Sequence, residues 1–311
     1  MLVSCPTTNP PAGVLYNHVS KTGGTSLIQR LKSLLVSPDM PLVKAGSREE
    51  MSQIKLGRDG ALVVQVDTQP IQVSASDAAR FFVIGLVRRP CDYARSVWSF
   101  RSDRCASCDY AGVGLDSAAP TARPRLAKHN YSRVNCSEPS FRAVCDSGRY
   151  GATPPYASAS DLARFDRWVR STWRSTQPRG LAKGMAGGLT SELTKRLGAA
   201  NLSAHVHCWV RTHEMDAGLV ACLEAYGETC GGRLGASQRQ ELDRRRVAQE
   251  QQQPASRAHS RATGTGAHMQ SAPTASGQPC STYFTAAANA AVLSRDADLI
   301  DRFGLGSCCS D

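Results

Sequence analysis

The sequence predicts an α/β fold with a mostly parallel sheet flanked by helices. Two observations predict it. Short apolar runs of strand length alternate with stretches whose apolar residues recur at helical spacing. Their order is strand, helix, strand, strand, helix, which suits parallel strands joined by helical crossovers.

Residues 14–19, Val-Leu-Tyr-Asn-His-Val, read as the first strand, and the turn Ser20 to Ser26 follows at once. Leu27, Leu31, Leu34 and Leu35 then repeat at helical spacing, with Thr25 or Ser26 expected as the N-cap. Residues 61–66 and 81–87 are two further apolar runs, and Pro90 opens a helix carrying Tyr93, Val97 and Phe100. Residues 103–158 are rich in Cys, Pro, Ser and Gly and show little periodicity, as an irregular surface insertion stapled by disulfides would.

Helical spacing returns over 160–175, where Leu162, Phe165, Trp168, Val169 and Trp173 form an apolar stripe. The tryptophans are assigned to the core rather than to a sugar-stacking surface. Residues 205–210 suit a late strand and 215–226 a helix. From 235 to 279 the chain is polar, and a charged helix near 241–246 is expected to fade into a flexible loop. Residues 283–303 are helical, with Ala287, Ala291, Leu299 and Phe303 on one face. The expectation is a single domain over 1–311: a nucleotide-binding core (12–102), the insertion (103–158), a second half (159–234), the loop (235–279) and a C-terminal helix (280–311).

Charge narrows the partner. With 37 Lys+Arg against 26 Asp+Glu, the 311-residue chain carries +11, which calls for an anionic partner. Aromatic residues make up 6%, too few for the stacked rings of a single-strand nucleic-acid platform, so no nucleic acid is expected. No run approaches the roughly 18 apolar residues of a membrane span. Met1 to Pro6 has neither a basic nor an apolar leader region, so a signal peptide is not expected there.

The sharpest motif is Lys21-Thr22-Gly23-Gly24-Thr25-Ser26 between a strand and a helix. Two glycines permit a tight turn that exposes consecutive N–H groups, and the helix N-terminus adds its positive dipole end. Lys21 and the hydroxyls of Thr22, Thr25 and Ser26 add donors, making a phosphate cradle. The Lys precedes the glycines, so this is not a Walker A loop. The second motif, Arg88-Arg89-Pro90 with Ser96, places a guanidinium at a strand end and a hydroxyl two turns into the next helix. That pair suits a second phosphate. The two motifs together give the α/β core a P-loop-like character.

In order and spacing, the two motifs resemble the nucleotide-binding motifs of Golgi-type carbohydrate sulfotransferases. The wording Tyr16-Asn17-His18-Val19-Ser20-Lys21 is most similar to the hexuronosyl 2-O-sulfotransferase branch. Weaker similarity runs through residues 209–214 and 283–285 to 302–304. The resemblance implies 3′-phosphoadenosine-5′-phosphosulfate (PAPS) as donor, a glycan hydroxyl as acceptor, no metal, and the Golgi lumen as location. It implies Lys21 on the bridging and sulfonate oxygens. Gly23, Gly24, Thr25 and Ser26 would hold the 5′-phosphate, with Thr22 in the same cradle, and Arg88 and Ser96 the 3′-phosphate. Arg89 stands where the family often has an acidic or amide residue.

In that branch a His after the second strand takes the acceptor's proton. Here the segment is Val66-Asp67-Thr68-Gln69, without a His. Asp67 is the nearest titratable side chain and His18, just ahead of the phosphate loop, is the other candidate base. If neither serves, the chain is an inactive relative. Two other classes stay open: a kinase on a similar core, and a non-catalytic glycan-binding protein.

The 12 cysteines and the sequons at Asn130, Asn135 and Asn201 point to an oxidising, glycosylating compartment, with any membrane anchor lying outside this chain. Cys105-x-x-Cys108, with Cys136 and Cys145, is read as disulfide-bonded rather than as a zinc site. Cys222 and Cys230 are expected to pair, and Cys308 and Cys309 to be mobile or intermolecular. His205 and His207 share a strand face in structural roles.

Overall fold

The structure is a computed structural model that describes residues 4–8, 10–19, 22–65, 72–97, 165–166, 169–170, 173, 188–197, 204–259, 283–306 and 308. The chain divides into two compact units, one of Met1–Arg88 with Leu193–Ala267, the other of Arg89–Glu192 with His268–Asp311.

The first unit is built on five parallel strands: β1 (Gly13–Asn17), β2 (Leu42–Ala45), β3 (Ala61–Gln65), β4 (Phe82–Val87) and β5 (Cys208–Arg211). Their spatial order is β2-β3-β1-β4-β5, and every neighbouring pair is parallel. β1 is central, with Leu15 registered against Val63 on one side and Val83 on the other. β1, β3 and β4 are buried at every position. Strands covered on both faces read as continuous apolar runs, which is why these three are plain in the sequence. Gly13 is required at the start of β1, because a Cβ there would run into the Ala61 backbone.

Helix α1 (Gly24–Leu35) buries Leu27, Leu31, Leu34 and Leu35 on the apolar face of the sheet. That face is made by Val14, Tyr16, Leu62, Val64, Phe82 and Ile84. Each fully buried leucine contributes about 1.5–3 kcal/mol relative to exposure. The N-cap expected at Thr25 or Ser26 is instead Gly23, in a left-handed conformation. Thr25 and Ser26 lie inside the first turn.

The segment between α1 and β3 holds β2 and the short helix α2 (Arg48–Ser52), capped by the Ser47 side chain. Helix α3 (Ala75–Arg80) starts with a reciprocal Ser74–Asp77 capping box. Helix α4 (Gly188–Leu197) precedes β5, and helix α5 (Met215–Glu224) follows it after one turn of 3₁₀ helix. A π-helical turn, Ala225–Thr229, ends α5.

Helix α6 runs over Ala236–His259, where a helix fading into a loop was expected. It is polar on most sides, but Gln238 and Leu242, one turn apart, are buried, and the Gln238 amide donates to the Leu35 carbonyl at the end of α1. The late strand begins at Cys208, so His205 and His207 precede it.

Two disulfides staple this unit. Cys208 at the head of β5 bonds Cys222 on α5, with Cα atoms 5.7 Å apart. Cys230 bonds Cys5, with Cα atoms 5.3 Å apart. The expected Cys222–Cys230 pair is therefore corrected: the buried face of α5 carries Cys222 toward β5, and Cys230 lies past the π turn.

In the second unit, residues 90–97 are helical, and Cys91 bonds Cys308, which was expected to be mobile or intermolecular. Phe165, Val169 and Trp173 are all buried at four-residue spacing, as the apolar stripe predicted. Phe165 meets Phe284 edge-on at 5.1 Å between ring centres. The C-terminal region forms two helices, α7 (Ala286–Arg295) and α8 (Ala297–Phe303), broken at Asp296. On α7 Ala288 and Val292 are buried and Ala287 is exposed, one residue off the expected Ala287 and Ala291, whereas Leu299 on α8 is buried as expected.

Disulfide-bonded cysteines fit a secretory or lumenal protein. Among the described residues no helix is long and apolar enough to cross a membrane. The insertion (103–158), its cysteines and the three sequons lie outside the described residues.

Candidate functional site

In the first unit, the chain leaves β1 toward the β2 edge of the sheet and leaves β4 toward the β5 edge. Neighbouring strands whose connections diverge in this way open a crevice at their carboxyl ends, where ligands of open α/β sheets bind. The turn Thr22-Gly23 follows β1 there, and Arg88 follows β4.

The turn is tightly folded. Thr22 is fully buried, and its hydroxyl donates to the Val19 carbonyl at 2.8 Å. Gly23 takes φ +99°, a conformation that side chains avoid. A Cβ on it would also come within 3.1 Å of the Thr212 methyl and 3.2 Å of the Met215 methyl. The N-cap of α1 is a glycine, which has no side chain to cap the helix. Its first intrahelical bond is from the Leu27 N–H to the Gly23 carbonyl at 3.2 Å. The N–H groups of Gly24, Thr25 and Ser26 precede that bond, and such first-turn donors have no acceptor within their own helix. Thr25 is exposed and Ser26 half-buried.

His18 sits against the same turn. The space a Cβ of Gly24 would take is filled by the His18 ring, with the Tyr16 hydroxyl 2.7 Å from it. The His18 carbonyl accepts from the Arg196 guanidinium at 2.8 Å, and the Arg196 carbonyl accepts from the Asn17 amide at 3.1 Å and the Val73 N–H at 2.9 Å. Arg196 thus fixes the backbone that leads from β1 into the turn.

A residue that sequence reasoning missed joins the strand ends. The Thr212 hydroxyl, just past β5, lies 2.6 Å from the Thr22 carbonyl and 3.0 Å from the Val87 carbonyl. The only signal for it was its place in the 209–214 stretch, which gave it no role. Below this level, Arg30 of α1 forms a two-point ion pair with Asp216 of α5, at 2.6 and 3.2 Å. The hydrogen bond to Asp216 raises the Arg30 pKa above its ordinary value.

The structure brings Thr22, Gly23, Gly24, Thr25, Ser26 and His18 together at the end of β1, and places Arg88 at the end of neighbouring β4. Ser96 belongs to the second unit, half-buried on the helical run 90–97. Lys21 and Asp67 lie outside the described residues. Among the described residues no group of three or more His, Cys, Asp or Glu side chains is placed to hold a metal ion. Compared with known proteins, the chain matches no family model, no curated protein and no solved structure.

Proposed function

We propose that the protein is a sulfotransferase that moves a sulfuryl group from PAPS to a glycan hydroxyl, on a P-loop-like core. The observation that supports this reading is the glycine start of α1, with Gly23 in a left-handed conformation at the N-cap. Three successive first-turn N–H groups, the helix dipole and two glycines past a central parallel strand would make a cradle for an anionic group. Arg88 at the end of the adjacent strand supplies a guanidinium for a second phosphate.

In this reading Gly23, Gly24, Thr25 and Ser26, with Thr22 shaping the turn, hold the 5′-phosphate, and Arg88 holds the 3′-phosphate. The acceptor oxygen attacks sulfur as the bond from sulfur to the 5′-phosphate oxygen breaks. The bond's electron pair leaves with adenosine 3′,5′-bisphosphate, and Lys21 stabilises the charge that develops there. The acceptor proton passes to Asp67 or His18. The Golgi lumen, which disulfide-bonded proteins reach from the endoplasmic reticulum and where glycans are sulfated, is the proposed location.

The test is transfer of labelled sulfate from PAPS to a panel of uronic-acid and amino-sugar polymers. Transfer by the wild type and its loss in a folded Lys21→Ala variant support the reading. Normal turnover in that variant refutes the donor site, and no transfer to any polymer counts against the activity.

A further inference from the structure

We infer that Thr212 is a positioning residue that holds the two phosphate-binding segments of the donor site at a fixed separation. The inference rests on the reading above and adds to it a residue that contacts neither phosphate.

The Thr22 carbonyl immediately precedes the glycine turn, and the Val87 carbonyl immediately precedes Arg88. Both lie within hydrogen-bond reach of the one Thr212 hydroxyl, at 2.6 and 3.0 Å. A hydroxyl has one proton and donates to one carbonyl at a time, so the two carbonyls share it. The turn after β1 and the end of β4 therefore meet at an atom supplied by β5's exit. The Thr212 methyl adds a wedge, 3.1 Å from the position a Cβ on Gly23 would occupy. Because Gly23 has no side chain, Thr212 can come this close.

The geometry has a specific consequence. A ligand that engages both segments gains from their fixed spacing, in the manner of a two-point binder on a rigid linker. A ligand that engages only the glycine turn does not. Loss of the hydroxyl should thus weaken an adenosine 3′,5′-bisphosphate more than an adenosine 5′-monophosphate. A general packing defect would weaken both alike.

The test is calorimetric titration of both nucleotides into wild-type, Thr212→Val and Thr212→Ser proteins, with folding checked by circular dichroism and thermal melting. Valine keeps the wedge and removes the hydroxyl; serine does the reverse. We expect Thr212→Val to lose about tenfold in bisphosphate affinity and less than threefold in monophosphate affinity. Thr212→Ser should stay within about threefold of wild type for both. If the valine variant does not fold, Thr212→Ala carries the same expectation. A wild-type ratio of the two affinities in a folded hydroxyl-less variant overturns the inference. If the wild type binds neither nucleotide, the donor site itself is wrong and the inference falls with it.

Discussion

The His207 ring accepts the Val83 backbone N–H on Nδ1 at 2.9 Å, one residue ahead of the β4–β5 pairing. The ring stacks on Phe82 at 5.7 Å, and the His207 N–H in turn donates to the Val83 carbonyl at 2.9 Å. Only a neutral imidazole can accept at Nδ1. Burial, with a smaller contribution from His205, lowers its pKa from 6.5 to about 4.

Acid should therefore loosen the β5 edge. The folded-state pKa is depressed, so the unfolded chain binds the extra proton first as pH falls. The contribution of His207 is complete above pH 6.5, declines as the pH falls below that value, and is gone below about 4. Its size is on the order of 2 kcal/mol after allowance for partial solvation. Denaturant titrations at pH 7.5 and 4.5 should show the loss, and a His207→Gln variant should show less of it. Equal pH dependence in the two proteins would remove His207 as the cause.

Gly23→Ala should destabilise the protein by about 1–3 kcal/mol, the usual cost of a side chain in a left-handed conformation. The new methyl would also press on Thr212 and Met215. Chemical denaturation measures the first effect, and nucleotide titration should show weaker binding because the cradle shifts. A variant as stable as the wild type would mean the turn is not held as described.

Asp296 organises the second unit. Its carboxylate is fully buried and accepts from the Trp173 Nε1–H at 3.0 Å, the Thr190 N–H at 2.8 Å and the Thr190 hydroxyl at 2.7 Å. Its backbone ends α7 and starts α8. Asp296→Ala would leave buried donors without an acceptor, at a cost of about 3 kcal/mol or more. Asp296→Asn keeps one acceptor oxygen and should cost less. Calorimetric or denaturant unfolding of the two variants should rank them in that order, and the reverse order would contradict the hub.

The proposed sulfuryl transfer needs a base for the acceptor, and substitution separates its two candidates. If Asp67 takes the proton, Asp67→Asn should lower turnover by ~10²-fold or more while nucleotide binding survives. If His18 does, His18→Ala should show that loss instead. A pH–rate profile of each active variant distinguishes them, and full turnover in both would place the acceptor site elsewhere.

Much of the first unit is legible in the sequence. Val14, Leu15, Tyr16, Phe82, Val83 and Ile84 are buried on both sheet faces, so their apolar runs stand out. The four leucines of α1 repeat at helical spacing. β2 escaped notice because it is four residues long and mostly half-exposed, with Lys44 in its midst. α6 is longer than its sequence implies because, among its described side chains, Gln238 and Leu242 alone are buried, which leaves little apolar periodicity to read.

The cysteine pairing was beyond reach for a different reason. Cys5–Cys230 closes across 225 residues and Cys91–Cys308 across 217, contacts that depend on tertiary structure rather than spacing. In the site, the glycine turn and Arg88 were visible as a strand–turn–helix and a strand end. Thr212 was not, because its partners are backbone carbonyls, which leave no trace in side-chain chemistry.

The central claim is that this fold binds a 3′-phosphorylated adenine nucleotide at the glycine turn and Arg88. Its most direct test is titration of adenosine 3′,5′-bisphosphate into the full chain, disulfides intact, in the presence of a chelator. The account predicts saturable binding without divalent cations, weakened by about 1.5–3 kcal/mol in Arg88→Ala. A protein that ignores the bisphosphate, or binds only ATP and only with Mg²⁺, would contradict it.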